Sequence, residues 1–145
     1  IIVSDFSADV YPTGTIFFQD DRFFSIKQSS NVSTIERVGA YGKTEMLTFS
    51  TNNGFENIKA ATDGKYVYFV GSSNDPALIV VKYDPIANKA TKKTVQGALI
   101  PKAVAANGRQ LIVLCDDENS DSAKLIFVNT RMEEEVEPYE EVFIW

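Results

Sequence analysis

Apolar residues along the chain fall in short runs of about four to eight, cut by clusters of Gly, Asn, Asp and Ser. Their composition favours Val, Ile, Phe, Tyr and Thr, the residues that fit a pleated, half-buried surface. No apolar stripe at helical spacing persists beyond two turns. The pattern predicts strands near 14–19, 22–27, 32–38 and 44–49, separated by turns at Asp20-Asp21, Ser29-Ser30-Asn31 and Gly39 to Gly42. A second group follows near 57–62, 65–70, 77–83 and 90–95, broken at Asp63-Gly64, Ser72 to Pro76 and Asp84 to Asn88. A third lies near 101–106, 109–114, 123–128 and 132–137, broken at Asn107-Gly108, an acidic loop and Asn129-Thr130.

The three groups are copies of one pattern. "DDRFFSIKQSSN" at 20–31 returns as "DGKYVYFVGSSN" at 63–74, 43 residues later, and as "NGRQLIVLCDDEN" from Asn107, 44 residues after Asp63. Asp-Gly and Asn-Gly recur in register, and both favour the type I′ turn of a two-residue hairpin because its central residues need positive φ. The one competing helix signal is "RMEEEVEPYEE", which Pro138 would interrupt.

A four-stranded antiparallel unit repeating at this period resembles a blade of a β-propeller. Within it "VVKYDPIANKATKKTV" (80–95) resembles the third strand, Asp-Pro turn and outer strand of blades in YncE-like and related propellers. The Trp-Asp dipeptide, the kelch double glycine and the Asp-box pattern are missing, so no subfamily is assigned. The resemblance implies about three blades, over 14–50, 57–96 and 101–138, in one all-β domain across 1–145. The alternative on the same pattern is a β-sandwich or barrel of ten to twelve strands.

Three blades cannot close a ring that normally takes four to eight. Two sheet faces would stay uncovered, so the expected partner is a protein: the remainder of the same chain, or further copies that complete the ring. The ends agree with this expectation, since the chain starts "IIVSDF" without Met and "EEVFIW" stops where the next innermost strand would begin.

Composition narrows the chemistry. The chain of 145 residues has no histidine, which excludes Ser-His-Asp and Cys-His triads and every His-containing metal site. A formal charge of −6 opposes binding to nucleic acid, which relies on clustered Lys and Arg. No apolar run approaches the roughly 18 residues of a membrane-spanning helix. Cys115 is the only cysteine, which rules out an internal disulfide; its place at the end of an apolar strand suits packing rather than nucleophilic attack. No cofactor motif is present.

In propellers the loops joining strands two and three share a face with the connectors between blades, and that face commonly carries binding. Here it would assemble Ser29, Ser30 and Asn31; Ser72, Ser73, Asn74 and Asp75; Asp116, Asp117, Asn119 and Asp121; and a connector holding Asn52, Asn53 and Phe55. The plain alternative is that Ser, Asn and Asp make good turns by bonding their own backbone. Phe55, an aromatic in a Gly/Asn-rich connector, is either a partner's anchor or core beneath the loop.

Asp117, Asn119 and Asp121 alternate as calcium ligands do, but Ser122 and Val128 stand where an EF-hand loop needs Gly and Glu. A solvated acidic hairpin tip is the simpler reading. Lys59 and Lys102 occupy matching places on innermost strands, where they would either ring a channel or reach solvent. Asn31-Val32-Ser33 is a formal glycosylation sequon. Outer strands carry opposite charge, with Lys89, Lys92 and Lys93 in the second unit and Glu133, Glu134, Glu135 and Glu137 in the third. Such charges block sheet-edge aggregation and can steer assembly.

Two function classes follow. The first is a non-catalytic binding or scaffold module that engages protein or glycan through its loop face. The second is part of a propeller enzyme of glycosidase or lyase type, drawing its acid and base from Asp116, Asp117, Glu118 and Asp121.

Overall fold

The computed structural model describes residues 16–19, 22–29, 32–39, 41–51, 54–107, 109–131 and 134–135. All of its regular structure is antiparallel β. The first sheet holds β1 (Ile16–Gln19), β2 (Arg22–Ser29), β3 (Val32–Gly39) and β4 (Gly42–Ser50) in that order. The second holds β5 (Glu56–Thr62), β6 (Val67–Ser73), β7 (Ala77–Asp84) and β8 (Lys89–Gln96), and the third β9 (Leu99–Ala106), β10 (Gln110–Asp117) and β11 (Ala123–Asn129). Each is a meander, as hairpin-length connections dictate.

The three sheets stack face to face, with the second in the middle. Alternation along β6 sends Val67 and Phe69 towards the first sheet, where they join Val81 and Tyr83 against Phe24, Ile26, Ile35, Phe49 and Phe55. Tyr68 and Val70 point the other way and join Leu78 and Val80 against Leu99, Leu111, Val113, Cys115 and Val128. Burial on both faces is why β6 and β7 read as unbroken apolar runs, whereas β8, "KATKKTVQ", alternates. Phe24 meets Tyr83 edge to face at 5.9 Å across the first interface. Polar latches reinforce both: Asn88 Nδ2 donates to the Met46 carbonyl at 2.6 Å, and Lys82 Nζ donates to the Thr130 carbonyl at 2.9 Å. Lys82 also lies 4.1 Å over the Tyr66 ring. The first strands of successive sheets are neighbours, β1 beside β5 and β5 beside β9. No closed ring forms among the described residues, and three layers are one more than a two-sheet sandwich has.

Three expectations are corrected. Of the strand expected over 132–137 as the last of the third sheet, only Glu134–Glu135 is described, and it does not pair with that sheet. This part, β12 (Glu134–Glu135), pairs with the outer edge of β8, with Glu134 opposite Lys92 and Glu135 opposite Thr91. Among the described residues the second sheet therefore has five strands and the third has three. The opposite charges of the two segments explain why β8 is an acceptable neighbour. Most of "RMEEEVEPYEE" lies outside the described residues, but Glu134–Glu135 is strand, not helix.

The Asp63-Gly64 turn is also not a two-residue type I′ hairpin. Asp63 does not have positive φ, and the loop runs over four residues. Asp63 Oδ1 accepts from the amides of Lys65 and Tyr66, at 2.9 and 2.8 Å, and Asn107 Oδ1 accepts from those of Arg109 and Gln110, both at 2.9 Å. The repeat thus preserves a side-chain-capped turn. Finally, strands run further into the expected loops: Ser29 ends β2, Ser72 and Ser73 end β6, and Asp116 and Asp117 end β10.

Candidate functional site

The turn Asn74–Pro76 between β6 and β7 projects at one end of the stack with a groove on each side. On the side of the first sheet, a cavity of about 310 Å³ is lined by Thr51, Ser73, Asp75, Lys92 and Thr94 over a floor of Phe49, Ile79 and Val81. On the side of the third sheet, one of about 200 Å³ is lined by Glu56, Asn57, Ser72, Asn74, Leu99 and Glu118. Ser73, Pro76 and Ala77 line both, so this turn is the shared wall.

Local physics fixes that wall. A β-bulge between Glu56 and Lys59 puts Asn57 at φ 55°, a left-handed conformation that Asn tolerates better than most residues. Asn57 Nδ2 donates to Ser72 Oγ at 3.1 Å, and Ser72 Oγ donates to the Glu56 carbonyl at 3.3 Å. Gly54, at φ 82°, lies close under Asn74: a Cβ there would stand 3.2 Å from Asn74 Nδ2. The connector and the β6–β7 turn therefore support each other. At the far lip, the Glu118 amide donates to the Ala98 carbonyl at 2.9 Å, which brings the acidic hairpin to the second groove.

Within that hairpin Asp117 is already engaged. Its Oδ2 lies 2.7 Å from Lys124 Nζ and its Oδ1 accepts from the Asn119 amide at 2.9 Å. These bonds, the Lys124 one first, hold its carboxyl below the ordinary Asp range. Asp116 lies 3.4 Å from Lys102, while Asn119 and Asp121 are exposed at the tip. A lowered pKa is the reverse of what a general acid needs, and among the described residues no three His, Cys, Asp or Glu side chains converge as a metal site would.

The expected loop face is thus assembled in part. Ser72, Ser73, Asn74 and Asp75 line the grooves and the Asp116–Asp121 hairpin borders one of them. Ser30, Asn31, Asn52 and Asn53 lie outside the described residues, as does the side chain of Ser29. Phe55 is a correction: it is wholly buried against Gly71, so it is core beneath the connector and no surface anchor. Cys115 is wholly buried too, and burial followed by the Asp116 charge raises its thiol pKa, which suits packing. Lys59 and Lys102 are exposed on the neighbouring strands β5 and β9.

Sequence reading missed Asn57 and did not single out Glu56, while Glu118 entered it only as a candidate carboxylate of the acidic loop. The available signal was Asn57 itself, since Asn is depleted within strands and one at a strand start marks a bulge or turn. No family model, curated protein or solved structure matches the chain. Among the described residues no helix is long and apolar enough to cross a membrane.

Proposed function

We propose that the chain is a non-catalytic binding or scaffold module, built as a segment of a β-propeller, that engages an extended polar ligand, a peptide or a glycan, across the end carrying the Asn74–Pro76 turn. The observation that carries this reading is the pair of grooves sharing that turn as their wall, lined by hydroxyl, amide and carboxylate groups over a small apolar floor. Such a lining orients a ligand by hydrogen bonds. The propeller reading draws support from the face-to-face stacking of repeated meanders with their first strands adjacent. Protein partners, including further copies, cover the outer sheet faces in this reading.

The test is a screen of the chain on a glycan array and a peptide library, followed by calorimetry on the best binder. Asn74→Ala and Asp75→Ala alter exposed turn residues. Each is expected to weaken binding about tenfold, the effect of losing one good hydrogen bond in a site. Binding untouched by both changes but abolished by Lys89→Glu and Lys93→Glu would place recognition on β8, away from the grooved end, and refute the proposal.

A further inference from the structure

The two grooves at the end of the stack differ in charge. The first carries Lys92 together with Asp75. The second carries two carboxylates and no cation: Glu56 comes from the start of β5 in the second sheet, and Glu118 from the β10–β11 hairpin of the third. Both stand in the same cavity of about 200 Å³. Backbone bonds hold them there, since the Glu56 carbonyl accepts from Ser72 Oγ at 3.3 Å and the Glu118 amide donates to the Ala98 carbonyl at 2.9 Å. Neither carboxylate belongs to an ion pair among the described residues, where three other ion pairs form. The nearby lysines do not neutralise them. Lys102 lies 3.4 Å from Asp116 and Lys124 2.7 Å from Asp117, while Lys59 borders a neighbouring cavity beside Glu56 without an ion pair to it.

Hydrogen bonding has the same polarity. Ser72 Oγ spends its single proton on the Glu56 carbonyl, and Asn57 Nδ2 donates to Ser72 Oγ at 3.1 Å. Two groups that could have donated to an anion are thus engaged, and Asn57 Oδ1 is left as an acceptor. Beside the polar groups Pro76, Ala98 and Leu99 add an apolar strip to the lining.

We propose that the second groove binds a basic side chain of an extended peptide, arginine before lysine, with its methylene stem along Leu99 and Pro76 and its charged head between Glu56 and Glu118. This rests on the reading that the grooved end binds a ligand and names the chemistry of that ligand. The cavity is smaller than the roughly 300 Å³ at which pockets for whole small molecules begin, so it takes one side chain of something larger. An anion would meet two carboxylates. A sugar hydroxyl can bond either carboxylate but leaves both charges uncompensated. A metal ion fits poorly, because among the described residues no three acidic or other ligating side chains converge. A long basic side chain matches both parts of the lining, its stem lying on apolar surface and its head meeting the acceptors. Guanidinium suits them better than ammonium, since its planar fork of five donors pairs with carboxylates in bidentate fashion and is less strongly hydrated.

Titration of the isotope-labelled chain with Nα-acetyl-arginine methylamide, read by amide NMR, tests this. The amides of Asn57, Ser72, Asn74 and Glu118 are expected to shift together, with a dissociation constant in the millimolar range, as befits a single residue. The lysine analogue should bind more weakly, and the citrulline analogue, of the same shape without the charge, at least about tenfold more weakly. Glu56→Gln and Glu118→Gln, both at exposed positions and checked for unchanged circular dichroism, each raise the constant for arginine about threefold, the effect of one solvent-facing ion pair. Glu45→Gln, exposed on the first sheet, leaves it unchanged. Citrulline bound as tightly as arginine, shifts that fall elsewhere, no shifts at all, or a constant that the double variant Glu56→Gln/Glu118→Gln leaves unchanged each overturn the inference. The glycan array and peptide library distinguish this failure from that of the reading beneath it. Ligands that Asn74→Ala weakens but that carry no basic residue overturn the inference and keep the reading, whereas the absence of any ligand at this end overturns both.

Discussion

A methyl group on Gly71 would stand 2.6 Å from both Cδ1 and Cε1 of Phe55 and 3.0 Å from the Glu56 carbonyl oxygen. Phe55 fills the space that the missing side chain of β6 leaves, which is how a connector aromatic becomes core between the first and second sheets. Gly71→Ala therefore overpacks a closed site and is expected to destabilise the fold by about 2 kcal/mol. Phe55→Ala leaves a cavity and should cost about 3 to 5 kcal/mol. Combining Gly71→Ala with Phe55→Leu should be less destabilising than the sum of the two single changes, measured by urea unfolding, because the residues share one volume. Strict additivity would show that they do not touch.

Asn88 joins two sheets from a turn. At φ 53° it accepts from Tyr83 Oη at 2.7 Å and donates to the Met46 carbonyl at 2.6 Å. Asn88→Gly keeps the backbone relaxed and loses the bonds, at about 1 to 2 kcal/mol. Asn88→Ala loses the bonds and adds left-handed strain, for about 2 to 4 kcal/mol. Thermal unfolding of the two variants should rank them in that order; the reverse order would mean that the turn does not hold positive φ.

Tyr68 faces the third sheet with its hydroxyl donating to Asp63 Oδ2 at 3.2 Å. Burial first, and then the Asp63 charge, raise its pKa far above the ordinary phenol value. In the unfolded chain it titrates near 10, so between that pH and its folded pKa the unfolded state holds fewer protons. The contribution is complete below about pH 10 and is lost as pH rises beyond it. Absorbance at the tyrosinate band should include a phenol that ionises only as the chain unfolds in alkali, and Tyr68→Phe should remove that component.

Asp117 works in the opposite direction. Its carboxyl is held low by Lys124 and by the Asn119 amide, so what it adds to the hairpin is present above the ordinary Asp range and is lost as pH falls through its folded pKa. In carboxyl-detected NMR titration its midpoint should lie below those of ordinary Asp residues. Lys124→Ala should move that midpoint upward; no movement would show that the ion pair at 2.7 Å does not persist in solution.

The strands were legible because their residues announce them. Runs such as "YVYFV" and "ALIVV" suit a sheet buried on both faces, and Asp63 and Asn107 mark the same capped turn 44 residues apart. The destination of β12 was hidden, since local pattern assigns a strand but not its neighbour. Only the opposite charges of Lys92 and Glu134 hinted at the pairing that the register shows. Phe55 was hidden as an outcome rather than as a possibility: whether a connector aromatic turns inward depends on Gly71, sixteen residues away across the β5–β6 hairpin. The grooves were half legible. Ser72 to Asp75 follow from the repeat, whereas Asn57 enters through a bulge that shifts the register of β5.

The stack itself is the central claim, with the second sheet enclosed by the other two. Residue-resolved hydrogen exchange tests it most directly, because amides shielded on both faces open only with the whole fold. The slowest amides are expected in β6 and β7, at Val67 to Val70 and Leu78 to Val81, with faster exchange in β11, where Leu125 and Phe127 are exposed. Exchange in β6 and β7 as fast as in β11 would contradict the account, since it would mean that the flanking sheets do not cover the middle one.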